Sequence, residues 1–422
     1  MSQQSACRSC GHGPLEEFLS LGTTPIANAL VSPRLNGVTE RQFSLTLAFC
    51  STCSLVQLLE SLPSDVIFSE SYPYYSSFSD VLLKHSREHA MELIKSQNLD
   101  AHSFVVEVAS NDGYLLRNFI DAGIRVLGID PAPGPAEAAR AAGIETITAF
   151  FDRDLARSLR AEHGPANVIV ANNVLAHVPD PNGFVAGLSE LVAEDGVITI
   201  ENPYVRDLID HREFDTIYHE HHCYFSCTAI DRLVRRHGLF LNDVEYFPEL
   251  HGGTLRWHIG RREAVSAVAR QYLHEEATSG LTSFEYYAGF TEQVQRIRDE
   301  LLRLLRDLRS QSKTIAAYGA AAKGSTLLNF VGIGPDLIDF VVDRNPHKQG
   351  LLMPGVHIPI MPVEALLQEQ PDYVLLLAWN FKDEIMQQQF EYADRGGKFI
   401  VPLPRLELVS RESITYECAT SE

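Results

Sequence analysis

FVVEVASNDG, residues Phe104–Gly113, is an apolar run with one acid that gives way to small and polar residues and ends on glycine. A helical pattern follows from Tyr114. Strand, turn and helix start in that order open a doubly wound α/β unit. The next strand, RVLGID (Arg125–Asp130), ends in an acid 23 positions after Glu107, where such folds bind a ribose diol. A helix (Pro135–Ala142), a short strand (Ile144–Thr148) and Phe151-Asp152 come next. Strand Ala166–Val174 ends in Asn172-Asn173, His177 follows, and helix Asn182–Val192 leads to strand Gly196–Glu201. Ligand-type residues at successive strand ends predict a nucleoside-bearing cofactor. Gly-x-Gly-x-x-Gly is absent and only Gly113 remains of such a loop, so a pyrophosphate cradle is poorly supported. That favours S-adenosylmethionine over NAD or FAD.

The last of these strands runs into ENPYVRDLIDHREFDTIYHEHHCYFS, Glu201–Ser226. Three histidines (His219, His221, His222), Glu220, Tyr218, Tyr224 and Asp215 crowd into about a dozen positions. Such a density of titratable groups points to proton transfer. A polar surface loop, or a core histidine satisfied by a tyrosine, is the structural alternative. Helix Thr228–Gly238 and strands Phe240–Phe247 and Gly253–Gly260 continue this domain. Ser283–Lys313 has the apolar spacing of one long amphipathic helix.

Upstream, Cys7-x-x-Cys10 and Cys50-x-x-Cys53 form two matched knuckles, among seven cysteines in all. Four thiolates at this spacing suit a structural zinc with no ligand position left open. Phe43–Phe49 alternates as a strand leading into the second knuckle. Tyr72, Tyr74 and Tyr75 precede an amphipathic helix, Asp80–Gln97; they suit packing, or hydroxyl donation to an oxyanion.

Downstream, TIAAYGAAAKG (Thr314–Gly324) starts a second strand–turn–helix unit. Strands Leu337–Asp343, Asp372–Ala378 and Lys398–Leu403 complete a second Rossmann-like α/β domain. Gly319 and Gly324 permit close backbone approach, and Lys323 can neutralise a phosphate. Read alone, the turn is a weak NAD-like signal.

The chain has 422 residues, enough for two or three domains, and a net charge of −20. That charge argues against non-specific binding to nucleic acid or an anionic membrane. No apolar run approaches the roughly 20 residues that span a bilayer, and the N-terminus lacks a signal-peptide pattern. The expectation is a cytoplasmic protein.

Asn111-Asp112-Gly113, Asn172-Asn173, His177, Glu201-x-Pro-Tyr204 and Tyr218-His-Glu-His-x-x-Tyr-Phe-Ser226, with the cysteine pairs, resemble one family. It is the zinc-containing, S-adenosylmethionine-dependent C-methyltransferases of deoxysugar biosynthesis, which act at carbon 3 of nucleotide-linked 4-keto sugars. The resemblance runs from Cys7 to about Leu406. It implies a zinc module (residues 1–70), a methyltransferase domain (71–285) and a C-terminal α/β domain (286–422) that helps bind the nucleotide sugar. His221 is then the candidate base and Glu220 its neighbour; a pairing of Glu220 with a histidine would raise that histidine's pKa and fix its tautomer. Tyr218, Tyr224, Tyr74 and Tyr75 are candidate donors to an enolate oxygen, with His177 nearby. Glu107, Ala109, Asn111, Gly113, Asp130, Phe151, Asp152, Asn172 and Asn173 are implied at the cofactor. Tyr204, His222, Gly319, Lys323, Gly324, Asp343, Arg344, Asn345, Trp379 and Asn380 are implied at the substrate. Three domains can enclose such a site within a monomer. The competing readings are another methyltransferase of this architecture, an NAD-dependent nucleotide-sugar oxidoreductase or epimerase, and a catalytically silent zinc-stabilised binding protein.

Overall fold

The computed structural model describes residues 5–35, 39–60, 62, 75–250 and 252–411. Tyr74, one of the candidate donors, lies outside them.

Strands β1 (Glu16–Thr24), β2 (Phe43–Phe49) and β3 (Val56–Leu58) form the antiparallel sheet of the cysteine-bearing module. Its fourth strand comes from far along the chain. The central sheet contains β4 (Phe104–Val108), β5 (Arg125–Ile129), β6 (Thr146–Ile147), β7 (Ala166–Asn172) and β8 (Val192–Pro203). β9 (Cys223–Tyr224) leaves this domain and pairs with β3. The crowded Glu201–Ser226 stretch is therefore anchored at both ends, on β8 and on the cysteine module. β10 (Phe240–Phe247) and β11 (Thr254–Gly260) close the central sheet in the order β10-β11-β8-β7-β4-β5-β6, in which β11 alone runs antiparallel to the rest.

All five residues of β4 are buried, because β5 and β7 flank it and helices cover both faces. The strand order reverses between β4 and β7, and ligands of open α/β sheets bind at that switch point. Polar caps fix the helices around it. Asp152 accepts from Leu155 N at 2.8 Å, and Ser226 accepts from Ala229 N at 3.0 Å.

The third sheet holds β12 (Ile315–Tyr318), β13 (Val341–Val342), β14 (Ile360–Met361), β15 (Tyr373–Leu376), β16 (Lys398–Val401) and β17 (Glu407–Val409). Its order, β14-β13-β12-β15-β16-β17, repeats the doubly wound pattern, and only β17 is antiparallel.

Three expectations need correction. The helix expected from Tyr114 starts at Arg117, after a tight turn. The strand expected over Leu337–Asp343 shrinks to Val341–Val342. The single helix expected over Ser283–Lys313 is a short 3-10 turn at Phe284–Tyr286 and a helix over Phe290–Ser310, broken at Gly289, with a separate helix at Ala267–Ser279 before them. The long helix buries Val294, Ile297, Leu301, Leu305 and Leu308, the stripe that the sequence period indicated.

Candidate active site

The carboxyl ends of the central and C-terminal sheets line one cavity of about 740 Å³. One wall is built from Ala109, Asn111, Asp130, Phe151, Asp152, Asn172 and Asn173. The C-terminal domain contributes Ala321, Ala322, Lys323, Lys348, Ala378, Asn380 and Phe381 to the lining. Tyr218, Glu220, His221 and His177 lie on the same surface.

The turn after β4 is shaped by left-handed backbone at Ala109 (φ 59°), Asn111 (φ 49°) and Gly113 (φ 77°). Asp130 accepts from Asn111 N and Ala132 N, each at 2.8 Å, which locks its carboxylate at the end of β5. Burial raises the Asp130 carboxyl despite these donors. Asn111 Oδ1 accepts from Ser76 N at 2.8 Å, tying the turn to the segment before the first long helix. Asn173 (φ 53°) donates its N–H to Glu201 O at 2.8 Å, which joins the ends of β7 and β8. A carboxylate at a ribose position, an aromatic ring beyond β6 and no pyrophosphate loop suit S-adenosylmethionine.

Two residues expected at the cofactor do not reach the cavity. Glu107 is buried beneath the turn, and burial, with Asp130 and Asp112 close by, holds its carboxyl well above the usual range. Gly113 packs against Ile144, where a β-carbon would collide with the Ile144 Cδ1.

In the proton-transfer cluster the chain bends at His219-Glu220, so Glu220 and His221 both face the cavity. His221 Nδ1 lies 3.0 Å from Thr216 O and its Nε2 lies 2.9 Å from Tyr218 Oη. A carbonyl only accepts, so Nδ1 carries a proton, and in the neutral form of the ring Nε2 is the basic nitrogen. His177 stacks edge-on at 4.7 Å from the His221 ring. Burial lowers His177 to about 4, opposed by a hydrogen bond with the Glu220 backbone. It is neutral near pH 7.

The partner of the Glu220 carboxyl is an amide rather than a histidine. Its Oε1 accepts from Asn28 Nδ2 at 2.6 Å. Burial pushes Glu220 up to about 7, with the Asn28 bond opposing. Asn28, Thr216, Lys348, Phe150 and Phe381 also line the cavity and were not expected there. Asn28 sits in the apolar run Pro25–Leu30, without a local pattern to mark it.

Several candidates lie elsewhere. Tyr224 packs 6.0 Å from the His221 ring, buried on β9 and not at the cavity surface. Tyr75 places its hydroxyl against Gly134, where a β-carbon would stand 2.9 Å away, and it is not among the residues that line the cavity. His222 is buried and its backbone N–H donates to Ala176 O at 2.7 Å. Tyr204 donates to buried Glu276 at 2.8 Å, away from the cavity. His219 Nε2 meets Phe43 O at 3.2 Å and is not among the residues that line the cavity.

On the C-terminal wall, Lys323 and Asn380 are placed as expected. Gly319 and Gly324 instead make room for Ala378 and Leu377, so these glycines serve packing rather than a dinucleotide. Asp343 accepts from Ala320 N at 2.8 Å and Asn345 N at 2.8 Å, so it holds the turn. Asn345 accepts from His347 N, and Arg344 is exposed beside Glu384. Trp379 is buried, with Lys323 Nζ 4.9 Å from its ring centroid. Lys348 Nζ donates to Ala320 O at 2.8 Å.

In the N-terminal module the four Sγ atoms of Cys7, Cys10, Cys50 and Cys53 lie within 4.8 Å of one another. Cys7–Cys53 and Cys10–Cys50 are 3.4 and 3.5 Å apart. Tetrahedral Zn–S bonds of about 2.3 Å need edges of about 3.8 Å, so separations between 3.4 and 4.8 Å fit zinc after a small adjustment.

Residues 7–68 match the family model of a zinc-binding domain, 83–242 that of a methyltransferase domain, and 249–404 that of a C-methyltransferase C-terminal domain. The C-methyltransferase NovU of Streptomyces niveus is 36% identical over 410 residues, covering 96% of this chain and 97% of that one. An uncharacterised methyltransferase of Mycobacterium leprae is 26% identical over 171 residues, 40% of this chain and 62% of that one. A solved S-adenosylmethionine-dependent methyltransferase of Anabaena variabilis has a TM-score of 0.36 at 15% identity, covering 47% of this chain and 91% of that one. With full-length identity to NovU, and with these three domain models in this order, the chain belongs to the zinc-containing, S-adenosylmethionine-dependent C-methyltransferases.

Proposed function

We propose that this C-methyltransferase alkylates carbon 3 of a nucleotide-linked 4-keto-deoxysugar through an enolate. The observation that carries this reading is a single cavity lined by strand-end residues of both α/β sheets and by His221. When bound, S-adenosylmethionine supplies an electrophilic methyl group on sulfonium.

The chain's own residues supply the rest. Asp130, Asn111, Phe151, Asp152 and Asn172 hold the methyl donor on the central wall. Lys323, Lys348 and the N-terminus of helix Ala322–Val331, which no side chain caps, hold the diphosphate on the other. Asn380 and Phe381 flank the nucleoside. His221 Nε2 takes the proton on carbon 3, acidified by the adjacent ketone. Thr216 O holds the ring and accepts a stronger bond once the ring is charged. Tyr218 turns its hydroxyl from Nε2 to the enolate oxygen as negative charge develops there. Neutral His177 adds no positive charge beside the imidazolium, and Glu220 exchanges protons near neutral pH. In this division residues 1–70 brace the site, 71–285 hold the donor and 286–422 hold the nucleotide, in a monomer located in the cytoplasm.

The test is incubation with S-adenosylmethionine and a panel of nucleotide 4-keto-deoxysugars in deuterated buffer, followed by mass. Methyl addition with solvent exchange at carbon 3 is expected. Methylation without that exchange points to oxygen or another carbon, and inertness toward every 4-keto sugar removes the substrate class.

A further inference from the structure

Asn28 belongs to the N-terminal module, 192 residues from Glu220, yet its Nδ2 lies 2.6 Å from Glu220 Oε1. Both residues line the cavity. The backbone around Asn28 is fixed on both sides. Ala27 O accepts from buried Ser325 Oγ at 2.7 Å, and Val31 exchanges both backbone hydrogen bonds with Leu352, at 3.0 and 2.8 Å. Ala29 N–H donates to Ile26 O at 3.1 Å, a tight turn that turns Asn28 out of the run. A side chain needed only to fill space would not require a junction of three domains to aim it.

We propose that Asn28 is a positioning residue for Glu220: the N-terminal module delivers its amide to the cavity, where it fixes the orientation of that carboxyl group. This rests on the reading of Glu220 as a proton-transfer group.

The amide N–H bonds the ionised carboxylate more strongly than the neutral acid, so it opposes the effect of burial on Glu220. Other titratable groups that line the cavity with Glu220 are Tyr218 and His221 on its own stretch, His177 from the loop after β7, Asp130, Asp152 and Asp180 from the central domain, and Lys323 and Lys348 from the C-terminal domain. None of them has a resolved electrostatic effect on Glu220, which titrates under burial and Asn28 alone.

The experiment uses the full-length, zinc-loaded protein and needs no sugar substrate. The infrared band of the protonated Glu220 carboxyl is assigned by its loss in Glu220→Gln and followed against pH. In Asn28→Ala its midpoint is expected to rise by about one to two pH units, the worth of one hydrogen bond to a charged group. In Asn28→Asp, which adds a like charge, the rise is larger. Under the methylation assay, Asn28→Ala lowers kcat about tenfold or more and leaves KM for S-adenosylmethionine within about twofold. An unmoved midpoint in Asn28→Ala overturns the proposal. If that variant does not fold by circular dichroism, Asn28→Ser replaces it under the same criterion. Undiminished turnover in Glu220→Gln removes the role of Glu220 instead and leaves the infrared shift standing, so the two failures are distinguishable.

Discussion

Trp379 donates its indole N–H to Asp215 Oδ2 at 2.7 Å, with both side chains buried. The bond joins the end of β15 in the C-terminal domain to the loop that carries Thr216, Tyr218 and His221. Burial pushes Asp215 up to about 6, opposed by Lys323 and by the Trp379 bond. Thr326 Oγ1 adds a second tie, donating to Ile217 O at 3.1 Å. The C-terminal domain thus grips the backbone that holds His221. Trp379→Phe leaves a buried carboxyl without its donor, at a cost of about 1–3 kcal/mol. The expected result is a lower denaturant midpoint and a lower kcat, with binding of S-adenosylmethionine unchanged by calorimetry. Unchanged stability and turnover would show that the bond is incidental.

Glu220 makes stability depend on pH in a defined direction. Its folded value of about 7 lies above the ordinary 4.5, so between these values the native state binds more protons than the unfolded state. Its contribution is fully present below about pH 4.5 and is lost as pH rises through about 7. Asp215, raised from 3.8 to about 6, acts in the same sense over a lower window. Urea titrations of the wild type and Glu220→Gln across pH 5 to 8 should show a shallower fall for the variant. Parallel curves would mean that Glu220 titrates in the ordinary carboxylate range.

Gly113 tests packing against ligand contact. Its φ of 77° disfavours any side chain, and a β-carbon would strike Ile144. Gly113→Ala is expected to cost about 1–3 kcal/mol through strain and overpacking. Gly113→Ala with Ile144→Val should recover part of that loss, while the affinity of the folded fraction for S-adenosylmethionine stays within about threefold. A large affinity loss in a stable variant would place Gly113 at the ligand.

The doubly wound pattern of β4, β5 and β7 was legible in the sequence because buried parallel strands are apolar runs, and the residues that follow them mark the site. Asp130, Asn111, Asn172 and Lys323 follow such strands and line the cavity, as does His221, which its crowded titratable neighbourhood marks instead. Three things were hidden. Side-chain direction within a turn separates Glu220 from His222 and Tyr224, and alternation cannot predict it where the chain bends. Glycine carries two meanings, and Gly319 and Gly324 make room for neighbouring side chains rather than for a ligand. Asn28 and Lys348 reach the cavity only through contacts between domains, for which local sequence holds no signal.

The pairing of β3 with β9 ties zinc to catalysis. Val56 faces Tyr224 and Gln57 faces Cys223, while Leu58 N–H donates to His222 O at 3.0 Å. Gln57 also accepts from Arg8 N at 2.9 Å, inside the first knuckle. The two knuckles thus set the position of the strand that directly follows Glu220 and His221. Four clustered thiolates without a cation repel one another, so metal loss loosens the module and the edge that β9 pairs with. Cys53→Ser, or prolonged chelation of the wild type, is expected to lower kcat at least tenfold while much of the affinity for S-adenosylmethionine persists, since the central sheet holds that ligand. Hydrogen exchange should rise first in β3 and β9, and zinc added back to the chelated protein should restore both protection and turnover. Full activity in metal-free protein with unchanged exchange at β9 would sever the link between the zinc module and the base.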